Sequence, residues 1–145
     1  MSTILDKAVL KEIQVHLESE YPNEGCGFLL GTDSHRSRHI TMMIKSPNQS
    51  AENQRRRFMI DPLEYLKAER LAEELKLKLV GIYHSHPDHP AIPSDNDLEF
   101  AQPFFSYFIH SIQKGKLAGT RSYRLINGQL LEEKFSIHQL IKTGS

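Results

Sequence analysis

Residues 83–97, YHSHPDHPAIPSDND, decide how this chain is interpreted, because they combine the end of a strand, a rigid loop and several polar side chains. The run LVGIYHSH at 79–86 predicts a strand. Side chains two positions apart on a strand point to the same face, so His84 and His86 can direct both imidazoles to one point. Asp97 follows a loop stiffened by three prolines and lies near the start of a short helix predicted over 94–101. Its carboxylate can turn back toward the histidines from there.

These three side chains are a possible set of zinc ligands. Two histidines and one carboxylate leave a tetrahedral zinc ion one position for water, as in a catalytic site. A structural site usually fills all four positions, typically with cysteines, and the chain has only Cys26. An interpretation without metal is also open, because His-x-His pairs occur as ordinary polar residues on strands. Ser94 with Asp97 three positions later equally fits a helix capping box.

Outward from this segment, the first half of the chain predicts a helix, two strands and a loop. An amphipathic first helix is predicted to end near Tyr21 and Pro22. Its apolar face consists of residues at a spacing of four, namely Leu5, Val9, Ile13 and Leu17. CGFLLG at 26–31 and HITMMIK at 39–45 predict strands, and the polar stretch SPNQSAENQRRR at 46–57 predicts a loop.

The second half begins with a helix whose start is well defined. Asp61 can cap it, Pro62 suits its first position and Glu64 can reach back to the cap. Its apolar face, running to about residue 78, is predicted to consist of Leu63, Leu66, Leu71 and Leu75. FFSYFIHSI at 104–112 predicts a strand, and the Asn127–Gly128 pair predicts a type I′ turn between SYRLI and QLLEEKF.

The resulting order, α-β-β-α-β-α-β-β-β, predicts a single α/β domain over 1–145 with a mixed β-sheet flanked by helices. The 145 residues include 18 basic and 18 acidic side chains, so net charge gives no reason to expect nucleic acid or a membrane as a partner. A single cysteine and the lack of an apolar export segment predict a cytoplasmic protein.

The spacing of the polar residues resembles the signature of a known enzyme family. His84-Ser85-His86-Pro87, six residues, Ser94, two residues and Asp97 match the JAMM (MPN-type) metalloproteases at each fixed position. The family pattern also has an upstream glutamate after the first helix, where this chain has Glu24 in YPNEGCGFLLG. The similarity extends from about residue 13 to 105. It is strongest to the short bacterial branch that processes ubiquitin-like sulfur-carrier proteins.

The resemblance implies an architecture like that of cytidine deaminases and one zinc ion per chain. It implies that His84, His86 and Asp97 bind the metal, with water as the fourth ligand. Glu24 would act as general base and then general acid, and Ser94 would stabilise the oxyanion. The implied substrate is a small ubiquitin-like carrier protein, cleaved after its Gly-Gly tail.

Two alternatives to this function differ from it in class, and a third is another zinc peptidase. Non-catalytic MPN domains serve as scaffolds, but they characteristically lack the metal ligands or the glutamate. Zinc deaminases need a Pro-Cys-x-x-Cys pair, which a chain with one cysteine cannot supply. A cell-wall or phage-tail zinc peptidase remains open.

Several further residues have both a functional and an ordinary interpretation. Arg55, Arg56 and Arg57 form a basic run that is either a solvated loop or a substrate contact. The loop places His89 close to the proposed zinc, so it is either a substrate contact or an ordinary surface or core histidine. Cys26, two positions from Glu24, could be a nucleophile, but a small buried residue between two glycines is the better interpretation.

Overall fold

The computed structural model describes residues 2–50, 53–55 and 57–139, and it starts with a strand that the sequence did not predict. This strand, β1 (Ser2–Asp6), leads directly into α1 (Lys7–Glu20). The Asp6 carboxylate accepts a hydrogen bond from the Ala8 N–H at 3.0 Å and caps the helix. Leu5 therefore lies in a strand rather than in the predicted helix. It still packs in the same core as Val9 and Ile13.

The remaining elements agree broadly with the predicted order. They are β2 (Cys26–Asp33), β3 (Ser37–Ser46), α2 (Pro62–Glu74), β4 (Lys78–Pro87), α3 (Asp95–Glu99), β5 (Ser106–Gln113), β6 (Lys116–Ile126), β7 (Gln129–Glu133) and β8 (Phe135–His138). The strands form one sheet in the order β7-β6-β5-β4-β2-β3-β1-β8. β4 pairs antiparallel with β2 and parallel with β5, so the predicted mixed sheet is confirmed.

The sheet curls until its two edges approach each other. β7 and β8 lie at opposite ends of the strand order, yet only Lys134 separates them in sequence. Across the gap, the Thr3 hydroxyl donates a hydrogen bond to Glu133 Oε2 at 3.4 Å. The predicted final strand is thus two strands, which pair with different neighbours.

Two tight turns connect the strands β5, β6 and β7. The predicted turn has positive φ angles of 50° at Asn127 and 79° at Gly128, as a type I′ turn requires. A second turn with the same signs, 50° at Lys114 and 84° at Gly115, joins β5 to β6. β6 therefore starts at Lys116, well before the predicted SYRLI run.

The two long helices bury different kinds of side chain against the sheet. α1 buries Val9, Ile13 and Leu17, as predicted. α2 buries only Ala68 and Ala72, while most of its predicted apolar face is exposed: Leu63 is 62% exposed, Leu66 41% and Leu75 45%. The prediction for α2 was wrong because small side chains let this helix pack closely on the sheet. The helix also ends at Glu74, before Lys76 adopts a φ of 57°.

No helix among the described residues has both the length and the apolar character needed to cross a lipid bilayer.

Candidate metal centre

The two histidines of the motif lie on the central strand and face each other. His84 and His86 are buried near the end of β4, between β2 and β5. Their Nε2 atoms are 3.2 Å apart. The period of two along the strand therefore brings the imidazoles to one point, as the sequence indicates.

Asp97 completes the cluster from the first turn of α3. Its Oδ1 is 3.0 Å from His84 Nε2, and its Oδ2 is 3.1 Å from His86 Nε2. The same side chain forms a capping box, in which Oδ2 accepts the Ser94 N–H at 2.8 Å. Ser94 Oγ accepts the Asp97 N–H at 3.1 Å, which leaves the hydroxyl proton able to donate elsewhere. The capping and metal-binding interpretations of Asp97 are therefore compatible.

Glu24 approaches the histidines from the connection between α1 and β2. It is 3% exposed, and Glu24, His84 and His86 each place a ligand atom within 4.8 Å of the others. Its backbone is fixed on both sides. The Glu24 N–H donates to Gln54 O at 2.6 Å, and the Asn48 amide donates to Glu24 O at 3.1 Å.

Asn48 connects the Glu24 backbone to the loop that follows β3. Its Nδ2 also donates to Arg57 O at 2.8 Å, and its Oδ1 accepts the N–H groups of Ser50 and Met59 at 3.0 and 3.1 Å. Two carbonyls and two N–H groups therefore use the full capacity of this amide and fix which atom is the nitrogen. Loop composition alone gave no signal for this role, because it depends on segments that are distant in sequence.

The electrostatics of the two carboxylates differ. Burial, reinforced by the nearby charge of Asp97, raises the pKa of Glu24 to about 9. Burial also opposes ionisation of Asp97. The charge of His84 and the hydrogen bonds from His84, His86 and the Ser94 N–H nevertheless hold the Asp97 pKa well below its usual range. Asp97 is thus ready to bind a cation, whereas Glu24 is suited to hold a proton.

The cluster fits zinc. Ligand atoms about 2.05 Å from a tetrahedral zinc ion lie about 3.3 Å from each other. The distances here, 3.2 Å between the histidines and 3.0 and 3.1 Å from them to Asp97, agree with that value. His86 Nδ1 lies 3.0 Å from Pro90 O, so a proton on Nδ1 leaves the Nε2 lone pair free for a metal. Phe58 stacks on the His84 ring at 4.4 Å and restricts its orientation.

Two cavities of different character adjoin the cluster. One, of about 330 Å³, is mostly apolar and is lined by His84 and Asp97 together with Phe58, Tyr65, Phe100 and Tyr107. The other, of about 270 Å³, is lined by Glu24, His86 and Ser94 together with Arg55, His89 and Ile92. Arg57 lines neither of these two cavities, and Arg56 lies outside the described residues.

Residues 6–126 match the family described as prokaryotic homologs of the JAB domain. The chain belongs to this Prok-JAB family. The predicted membership of the JAMM group is therefore confirmed.

Cys26 is fully buried, and burial raises the pKa of its thiol to about 12, in agreement with its interpretation as a packing residue.

Two relatives of this Prok-JAB chain carry informative names. A Thermus thermophilus protein, 34% identical over 85% of this chain and 76% of its own length, is named a probable TtuB-protein conjugate cleaving protease. A Pyrococcus furiosus protein named desampylase is 39% identical over 64% of this chain, which covers only 59% of that protein's length. The first of these names describes a protease that cleaves protein conjugates.

Solved structures with the same architecture confirm the fold. A Desulfitobacterium hafniense protein superimposes with a TM-score of 0.85, covering 97% of this chain and 95% of its own, at 27% identity. A JAB1/MPN domain protein from Archaeoglobus fulgidus has a TM-score of 0.64, covering 94% of this chain and 98% of its own. At 19% identity, this second similarity concerns the fold alone.

Proposed function

We propose that this protein is a zinc-dependent peptidase or isopeptidase that cleaves the amide bond after the Gly-Gly tail of a small ubiquitin-like carrier protein. The observation that carries the proposal is the convergence of His84, His86 and Asp97 with Glu24 beside them. The names of the Thermus and Pyrococcus relatives support the class of substrate. The single buried thiol is in keeping with action in a reducing cytoplasm.

In this proposal, one zinc ion per chain is held by His84, His86 and Asp97. When bound, zinc supplies Lewis acidity, which lowers the pKa of a water ligand and polarises the scissile carbonyl. Glu24, its pKa lowered beside such a cation, would then be a carboxylate that can accept a proton from water. Glu24 then returns that proton to the nitrogen of the leaving amine.

Glu24 stays off the metal in this scheme, because a carboxylate whose lone pairs are committed to zinc cannot readily shuttle a proton. Ser94 has the complementary role. Its hydroxyl proton is free to donate to the carbonyl oxygen of the substrate as negative charge develops there.

A Gly-Gly tail suits this site because a chain without side chains can approach the buried metal position closely. Mass spectrometry of the protein incubated with ubiquitin-like carriers that end in Gly-Gly-X tests the proposal. Replacing the last glycine by valine should lower kcat/KM at least about tenfold, equivalent to about 1.4 kcal/mol of transition-state binding. Equal rates on the glycine and valine carriers, or faster cleavage of cell-wall peptides, would contradict the proposed substrate.

A further inference from the structure

The residues of the metal centre divide between its two cavities. His84 and Asp97 line the apolar cavity, whereas Glu24, His86 and Ser94 line the other, which is the more polar of the two. An amide substrate must span such a site, with its acyl part on one side of the metal position and its amine on the other. Each cavity offers space for one half of such a substrate.

The position of Glu24 indicates which cavity would take the leaving amine and which would take the acyl half of the substrate. In the proposed reaction, Glu24 hands a proton to the leaving nitrogen, so the leaving amine must lie on the side that Glu24 lines. That side is the polar cavity. The apolar cavity, between Phe58 and Tyr107, is then left for the carrier protein's tail.

The polar cavity contains groups that favour an anion. Arg55 and His89 both line it and are both exposed, so they are accessible to a substrate. Among the described residues, no salt bridge involves Arg55. A guanidinium binds a carboxylate with two parallel hydrogen bonds, and an imidazole N–H can donate another.

Asp88, the nearest acidic neighbour of His89 in the sequence, does not enter the polar cavity as the anion that Arg55 and His89 would bind. The Asp88 carboxylate accepts the Lys114 N–H through Oδ1 at 2.8 Å and the Tyr21 hydroxyl through Oδ2 at 2.5 Å. Asp88 is absent from the lining of the polar cavity. Both of its oxygens are therefore hydrogen-bonded outside the polar cavity, and its charge also interacts with that of His89.

We propose that Arg55 and His89 bind the α-carboxylate of the residue that is released, so that the enzyme prefers carriers extended by one amino acid with a free carboxyl terminus. This inference rests on the proposed function. The cavity, at about 270 Å³, has room for one residue. It is close to the lower limit of about 300 Å³ for small-molecule sites.

The reaction is an ordinary hydrolysis. The oxygen of water forms a bond to the carbonyl carbon of the last glycine, and the carbon–nitrogen bond breaks. One proton of the water passes through Glu24 to the nitrogen. The products are a carrier that ends in a glycine carboxylate and a free amino acid, whose own carboxylate is the group held by Arg55 and His89.

The test compares two substrates that differ in one group: a carrier ending in Gly-Gly-Ala with a free carboxylate, and the same carrier with a terminal carboxamide. We expect the zinc-loaded enzyme to favour the free carboxylate at least about tenfold in kcat/KM. In Arg55→Ala and in His89→Ala, the ratio of the two rates should fall toward one, and Arg55→Lys should restore part of it. The matched control is Arg57→Ala, which should keep the ratio, because Arg57 lines neither cavity.

Each outcome separates this inference from the function on which it rests. Equal cleavage of both substrates by the unmodified enzyme overturns the carboxylate site and leaves the proposed function intact. A fall of the ratio in Arg57→Ala as large as in Arg55→Ala also overturns it, because a diffuse basic loop would then be responsible. Failure of the zinc-loaded enzyme to cleave any carrier overturns the proposed function itself.

Discussion

The metal ligands and the proposed general base are held in place by different parts of the molecule. His84 and His86 belong to β4, whose backbone is paired on both sides, with β2 and with β5. Glu24 lies in a connection, and its peptide groups bond to Gln54 and Asn48 in the segment 47–61. That segment has no helix or strand among its described residues. Metal affinity and proton transfer should therefore respond to different mutations.

The largest loss of zinc and activity should come from substituting the two histidines on the sheet. The double substitution of His84→Ala and His86→Ala removes two of three proposed ligands, so bound zinc and peptidase activity should both fall to background. Elemental analysis of protein purified without chelator or added metal measures this. His35→Ala is the control, since His35 is exposed in the turn between β2 and β3. Stoichiometric zinc in the double variant would contradict the assignment of the ligands.

The next effect should come from Glu24 itself. Glu24→Gln has nearly the same shape but cannot accept a proton, so turnover should fall by roughly 10²–10⁴ with zinc and fold retained. Single-turnover kinetics and metal content are measured on the same sample. Loss of zinc from this variant would make Glu24 a ligand. Near-normal turnover would assign the base to another group.

Asn48 provides a smaller and more selective test of the loop. Asn48→Ala removes four hydrogen bonds, one to the Glu24 carbonyl and three within the loop, and should lower kcat by about tenfold while zinc content stays unchanged. If Asn48 acts by positioning Glu24, its substitution should have little further effect in a Glu24→Gln background. An equal fall of kcat in both backgrounds would indicate a general loss of structure instead.

The smallest effect concerns His110 on β5, which is fully buried, with Nδ1 2.9 Å from Thr120 Oγ1. Burial, with the charge of His84 as a lesser cause, lowers the pKa of His110 to about 3. The unfolded chain therefore binds a proton that the folded protein excludes between about pH 6.5 and 3. His110 therefore leaves the free energy of unfolding unchanged above about pH 6.5 and lowers it progressively as the pH falls below that value.

Urea unfolding of metal-free protein at pH 7.5, 5.5 and 4.5 measures this dependence. The free energy of unfolding should fall less steeply in His110→Asn than in the unmodified chain, by up to about 1.4 kcal/mol per pH unit. If the free energy of unfolding fell equally with pH in the two proteins, His110 would become protonated without unfolding the sheet.

The features that the sequence predicted well are local. The His84–His86 pair follows from the period of two along one strand, and the Asn127–Gly128 turn follows from the φ angles that those two residues adopt readily. Asp61 caps α2 as predicted, because the cap depends on its own next residues.

The features that the sequence missed depend on distant contacts. α2 contains two apolar rows, and only packing decides that Ala68 and Ala72 face the sheet while Leu63 faces outward. The bonds of Asn48 to Glu24 and Met59 require a closed loop. β1 was merged with α1 because its five residues acquire a strand partner only in the folded sheet.

The pairing of β1 with β8 affects how the chain folds during synthesis. Thr3 and Glu133, which meet where the sheet edges approach, are 130 positions apart in sequence. At about 5–20 residues per second, a ribosome needs roughly 7–26 s to add that much chain. Throughout this interval β8 has not yet been synthesised, so the backbone edge of β1 that pairs with β8 has no partner there. A nascent chain stalled before residue 135 would present that edge to other chains, so ribosome-bound intermediates are exposed to strand-mediated aggregation.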